Sequence, residues 1–278
     1  MAEHGVSNRT AYVHGIALWA PRLPGWNAAA PVLRGAAAAP EQTAPRPAAT
    51  LLAPTERRRA PDTVAIALEV AARACESAGA DPKETASVFA SAHGDLAIND
   101  YMSDTLARTP TLISPIRFHN SVHNAAAGYW SIGTGSLQPY TALTAYEDTF
   151  GEGLLEALAQ AESSGRPTLL VAYDIEARGP LATIVTSRGI IGVGVVVAPH
   201  AGLNPLARLR WGTVRGTAGT ASQTRNSELM AGSPMAACLP FVEAMAIEEM
   251  CMVGLRLSPT LLLQMQFDFP SRHEGNWP

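Results

Sequence analysis

Apolar residues recur along this chain in two rhythms, short continuous runs and longer stripes of helical spacing, and the two alternate. The run at 12–19 reads as a first strand, stopped by Pro21 and Pro24. Further strands are expected at 87–92, at 140–145 behind Pro139, at 168–173, at 190–198, at 206–211 and at 261–269. The runs 168–173 and 190–198 are apolar throughout, as in strands covered on both faces; Gly192 and Gly194 mark a bulge or a close backbone approach. Helical spacing is clearest over 62–78, where Val64, Ala67, Leu68, Ala71 and Cys75 form one stripe, Ile66 and Val70 widen it, and Gly79 closes it. Cys75 sits inside that stripe and reads as core packing rather than a reactive thiol.

Other helices are expected near 27–34, over 96–107, from Thr149 to Gly165, and near 240–253. Thr149 and Glu152 have the spacing of a capping box, and Phe150, Leu154, Leu155 and Leu158 are the buried face of the helix that follows. Residues 114–118 read as an extended lead into a segment of small residues that would let a helix pack closely. Strands alternating with helices imply an α/β fold, a three-layer α/β/α sandwich. The whole of 1–278 reads as one domain with a core over about 12–269, a flexible Ala/Pro-rich loop at about 35–56 and a loose tail at 270–278.

Composition narrows the function. The formal net charge is −4, so a concentrated basic surface for nucleic acid is not expected. The one basic run, Arg57-Arg58-Arg59, reads as a solvated loop or as a landing point for an acidic partner. Three cysteines without CxxC spacing suggest a reducing compartment; with no apolar signal core in 1–11 and no membrane-length apolar run, the expectation is a cytoplasmic protein.

The stretch Phe118-His119-Asn120-Ser121-Val122-His123-Asn124-Ala125-Ala126-Ala127-Gly128-Tyr129-Trp130-Ser131-Ile132 resembles the helix that precedes the active-site strand of β-ketoacyl synthases. Other pieces agree in order: 52–60 with its Thr-Glu-Arg-Arg-Arg run, 89–95 with its glycine turn, and 191–199 with its Gly-x-Gly-Val-Val strand. The likeness runs over about 12–200 and is similar above all to chain length factors of aryl polyene (xanthomonadin-type) pigment biosynthesis. It implies a thiolase-like fold, one half of the usual duplication, and an active ketosynthase as partner in a heterodimer that elongates polyene or fatty-acyl chains.

In a working ketosynthase a strand ends in Thr-Ala-Cys, and the cysteine starts a helix whose dipole favours the thiolate. Counted from Pro139, that position holds Tyr146 or Glu147, so the resemblance implies no catalytic residue here. It assigns His119, Asn120, His123, Asn124, Tyr129, Trp130, Tyr140, Tyr146 and Phe150 to the tunnel or the subunit interface, and an acyl carrier protein is a further possible partner. No cofactor and no metal are implied.

Two rival readings stand beside it. Glu147 or His123 could serve a stand-alone acyl-carrier decarboxylase or acyltransferase. His119 and His123, at i and i+4, could hold a metal for a hydrolase if Glu147, Asp148 or His93 supplied a third ligand. Gly133-Thr134-Gly135-Ser136 reads as a turn, and no Gly-x-Ser-x-Gly elbow occurs. Asp174 and Glu176, just past a buried strand, read as solvated turn residues.

Overall fold

The computed structural model describes residues 9–202, 204–216 and 226–270. Among the described residues nine strands form a mixed sheet: β1 (Arg9–Ala20), β2 (Leu23–Pro24), β3 (Ala86–Ala90), β4 (Tyr140–Leu143), β5 (Thr168–Asp174), β6 (Ile191–Ala198), β7 (Ala207–Arg215), β8 (Cys251–Ser258) and β9 (Leu261–Asp268). Along the sheet the order is β4-β3-β5-β6-β1-β7-β9-β8, with β2 a two-residue partner of β1. β4, β3 and β5 run parallel, and from β6 onward every pairing is antiparallel. Eight α-helices accompany it among the described residues: α1 (Trp26–Leu33), α2 (Pro54–Arg59), α3 (Asp62–Ala78), α4 (Leu96–Arg108), α5 (Pro115–Asn120), α6 (Ala125–Thr134), α7 (Thr149–Ser164) and α8 (Leu239–Ile247).

Period-two alternation in the strands divides the apolar side chains between two cores. Ala17, Trp19, Phe89, Leu169 and Val171 meet α3 and α6 on one face; Ile16, Leu18, Val88, Leu170 and Val195 meet α1, α7 and α8 on the other. Three layers result, as expected. The sheet curls around α7 and α8, so that β8, last in the strand order, reaches the start of α7 on the far side, and Phe150, Phe241 and Phe267 stack edge to face in between.

α3 lies unusually close to the sheet because the strands beneath it carry glycine. A Cβ on Gly194 would land on the Val70 carbonyl oxygen, and one on Gly15 would land on that of Ala74. The expectation of close backbone approach at 192–194 is met in this form.

The expected elements at 27–34, 62–78 and 96–107 match α1, α3 and α4, and all the expected strands form. Three segments differ. Residues 115–118 are helical: Pro115 sits at the first position of α5 and the Ser114 hydroxyl accepts from the Arg117 N–H at 3.5 Å, which starts a helix where the sequence reading has an extended lead. The helix near 240–253 stops at Ile247, because Glu248 turns left-handed at φ 59° and 251–258 becomes β8. Its burial alternates strictly at Val253, Leu255 and Leu257, a period-two signal hidden behind a continuous apolar stretch. Residues 54–59, where the sequence reading puts the end of the Ala/Pro-rich loop (to about 56) and the solvated run Arg57-Arg58-Arg59, form α2.

The rest of that loop is fastened. Arg22 donates to the carbonyls of Pro40 (2.8 Å) and Ala39 (3.3 Å), and Arg57 donates to those of Thr50 (3.0 Å) and Leu52 (2.9 Å). The expected tail from 271 on lies outside the described residues. No helix among the described residues is long and apolar enough to cross a membrane.

Candidate functional site

Parallel strands leave a crevice beyond their carboxyl ends, and there the loops after β3, β4 and β5 meet. The last residue of β5, Asp174, is 1% exposed, not the solvated turn residue its position suggested. Its carboxylate accepts from the Ser91 hydroxyl at 2.9 Å, from the Ala92 N–H at 3.1 Å and from the His93 N–H at 3.3 Å. The turn after β3 is therefore moulded around one acid on the neighbouring strand. Periodicity could not show this, because the partners lie more than 80 residues apart in sequence. Burial pushes the Asp174 carboxyl up to about 7, against the pull of those three donors, which favour the anion.

Two further segments lock onto the same turn. The His123 ring nitrogen Nε2 is 3.0 Å from the Ser91 carbonyl, and the Thr144 hydroxyl donates to the Ala92 carbonyl at 3.0 Å. The His93 ring meets Tyr146 edge to face at 5.4 Å, and burial lowers the His93 pKa, favouring neutral imidazole. Glu176 is exposed.

The turn after β4 is backbone-strained. Tyr146 is left-handed, with φ 53°, a conformation that costs a bulky L-residue about 1–3 kcal/mol. The Thr149 hydroxyl stabilises it by accepting from the Ala145 N–H at 3.0 Å and donating to the Tyr146 carbonyl at 2.7 Å. This replaces the expected capping box: Thr149 is already the first residue of α7 and buried, Asp148 stands before it, and no side chain caps the helix. Glu147 accepts from Arg256 at 2.8 Å, and the same guanidinium binds Asp148, so both acids after Tyr146 are held by β8. The Tyr146 strain is open to measurement. Chemical denaturation should show Tyr146→Gly more stable than Tyr146→Ala by about 1 kcal/mol, since only glycine relieves a positive φ; equal stabilities would deny the strain.

What this turn offers chemically is a phenol and two paired carboxylates. Cys75 and Cys238 lie in the two cores, where burial pushes each thiol up to about 12, and Cys251 on β8 is raised by burial as well. None of the three sits on the turn.

The remaining expected residues fall into distinct surroundings. Asn120 is buried and donates to the Arg59 carbonyl at 3.3 Å; Asn124 donates to the Tyr140 hydroxyl at 3.2 Å; the His119 and Tyr129 rings lie 6.3 Å apart, edge to face. The helix is interrupted between Asn120 and Ala125, so the segment forms α5 and α6 rather than one rod. His119 and His123 thus engage different partners, and no group of three His, Cys, Asp or Glu side chains suited to a metal occurs among the described residues. Tyr129 and Trp130 are buried in the core beneath α3, whereas Phe150 is buried in the opposite core.

The sequence reading places Tyr140 and Tyr146 at the tunnel or interface but misses the exposed apolar residues that accompany them. Phe118, Val122, Ile132, Leu137, Tyr140 and Tyr146 are all exposed, Leu137 at 98%, and all belong to the consecutive segment from α5 to the turn after β4. β4 is the terminal strand of the sheet, with one edge unpaired among the described residues. Large apolar side chains left exposed along one chain segment beside an open strand edge suit an interaction surface.

Residues 27–248 match the β-ketoacyl synthase N-terminal domain family. Among solved structures, the chain is similar to one of a ketosynthase (ApeO) in complex with its chain length factor (ApeC) from Xenorhabdus doucetiae, at 21% identity, covering 92% of this chain and 99% of that one, with a TM-score of 0.71. It is similar to the ishigamide ketosynthase/chain length factor at 15% identity, 94% and 99% coverage and a TM-score of 0.69. It also resembles AntDE:AntF, a type II acyl-carrier protein in complex with its ketosynthase bound to the hexaketide, at 11% identity, 95% and 100% coverage and a TM-score of 0.72. No curated protein matches. The architecture is the thiolase-like ketosynthase fold, as a single half.

Proposed function

Because the chain belongs to the β-ketoacyl synthase N-terminal domain family, we propose that it is a non-catalytic subunit, a chain length factor, that pairs with an active ketosynthase in acyl-chain elongation. One observation carries this reading: at the strained turn that leads from β4 into α7, the residue presented is Tyr146, followed by Glu147 and Asp148, with no thiol. Condensation needs a nucleophile that carries the acyl group as a thioester, and a phenol or a carboxylate clamped by Arg256 does not supply one. The fold likeness to chains from ketosynthase/chain length factor complexes is in keeping with it.

Pairing is proposed through the unpaired edge of β4 and the apolar residues beside it. Tyr140 and Ile132 would face the partner, and Tyr146 would stand where the partner's acyl chain approaches. Aryl polyene synthesis in the cytoplasm is the proposed setting, with acyl carrier protein reaching the complex rather than this chain alone.

The test is co-expression with a ketosynthase that retains its cysteine. The two chains should co-purify, and Ile132→Glu, a change at a residue 68% exposed, should leave this chain folded while weakening association at least about tenfold, as a charge buried at an interface does. A stable solitary monomer, or covalent attachment of a radiolabelled acyl group to this subunit, would overturn the proposal.

A further inference from the structure

The β4–α7 turn is gripped from two directions. On one side the Thr149 hydroxyl accepts from the Ala145 N–H and donates to the Tyr146 carbonyl. On the other, the Arg256 guanidinium of β8 binds Asp148 and donates to Glu147 at 2.8 Å. β8 comes this near because α7 carries Gly151 there: a Cβ at that position would lie 2.5 Å from the Arg256 carbonyl oxygen. The two ends of the sheet, β4 and β8, thus meet at one turn.

Asp148 has a second partner within its chemistry. It stands immediately before α7, at the N-cap position, where an aspartate ordinarily accepts from N–H groups of the first helical turn. Here it does not. No side chain caps α7, and residue 148 has φ −94° and ψ 4° rather than the extended backbone of a capping residue. Its carboxylate goes to Arg256 instead. Of the two acids Asp148 is the more enclosed, its side chain 16% exposed against 61% for Glu147, so it is the one for which a lost cation matters. Glu152, one turn further on, has its carboxyl raised by burial and then by the charge of Asp148, so acid is crowded at the start of α7 and Arg256 relieves it.

We propose that Arg256 is a positioning residue for the face presented at this turn: by holding Asp148 away from the end of α7, it keeps residues 146–148 in the conformation that sets Tyr146 against His93. Without the guanidinium, Asp148 turns extended and caps α7 through the N–H of Phe150 or Gly151. With α7 fixed in the core, the change in ψ at residue 148 moves the residues before it. The positive φ of Tyr146 is then relieved and its ring parts from His93, now 5.4 Å away. The consequence for acyl-chain length rests on the proposed function, in which Tyr146 meets the partner's acyl chain.

In the isotope-labelled full chain, the His93 and Tyr146 rings should give a mutual nuclear Overhauser cross-peak. Arg256→Ala should weaken it about fivefold, the scale of one helix cap in a two-state balance. The amide of Phe150 or Gly151 should move downfield as it gains a carboxylate. Arg256→Lys, which leaves a cation for Asp148, should keep most of the cross-peak. Asp148→Asn reaches the same balance from the other side, because asparagine caps as well as aspartate but gives up the ion pair; it should weaken the cross-peak too, and it serves where Arg256→Ala fails to fold. A cross-peak of parental strength in both Arg256→Ala and Asp148→Asn would overturn the proposal. Paired with a ketosynthase that retains its cysteine, Arg256→Ala should still co-purify but broaden the spread of acyl-chain lengths. Unchanged lengths alongside a lost cross-peak would refute the part given to Tyr146 and leave the hold of Arg256 standing, so the two readings fail separately.

Discussion

Gly194→Val should lower the unfolding free energy by about 3 kcal/mol or more and the melting temperature by roughly 10 °C, read by calorimetry or urea titration. The side chain would enter space held by the main chain of α3, with the Val70 carbonyl and the Ala74 methyl already against the glycine. Backbone does not step aside as a rotamer does. α3 would have to lift from the sheet, and it carries Val64, Ile66, Leu68 and Val70, each at most 1% exposed, into the core it shares with β5 and β6. Gly165→Val makes a useful control: it closes α7 in open space at φ 70°, so its cost is backbone strain without a packing clash. If Gly194→Val is no worse than Gly165→Val, the close approach of α3 is not what stabilises this face.

Asp174→Ala should be nearly as costly, about 3 kcal/mol, because it strands the Ser91 hydroxyl and the N–H groups of Ala92 and His93 in a buried turn. The pH dependence separates this acid from a merely polar filler. Its folded pKa of about 7 lies above the unfolded value near 4, so the native state holds a proton that the unfolded state releases. The stabilisation is complete below about pH 4 and is lost as pH rises through about 7, with a total of the order of 2–4 kcal/mol. His93 works in the opposite sense, since its lowered pKa makes stability rise with pH as the unfolded-state imidazole loses its proton. The difference between the parent and Asp174→Asn cancels that shared contribution. The parent should lose stability relative to Asp174→Asn between pH 5 and 8, a window set by the folded pKa of about 7; a constant difference would mean that Asp174 is ionised throughout.

The second effect centres on the crevice beyond the parallel strands, where the build of the site and its chemistry are separate questions. The Ser91–Gly94 turn is organised by Asp174, and the β4–α7 turn by Thr149 and Arg256, so the crevice is built by hydrogen bonds and ion pairs whether or not it performs chemistry. The absence of a thiol on that turn concerns catalysis alone.

The sequence determined a great deal of this protein by itself. Continuous apolar runs identified β5 and β6, the helical stripe identified α3, and the residues after Pro139 identified β4, because each signal arises within one element and needs no partner to be read. The motif around His123 carried the family resemblance, and the residues at 146–148 showed that no cysteine stands there. Only the tertiary structure decided what depends on distant chain segments meeting. That Asp174 is buried and that Arg256 holds Glu147 and Asp148 from more than 100 residues away follow from strand order and sheet curvature. Local pattern reports which face of an element is apolar; it does not report which polar groups another element will bring to its end.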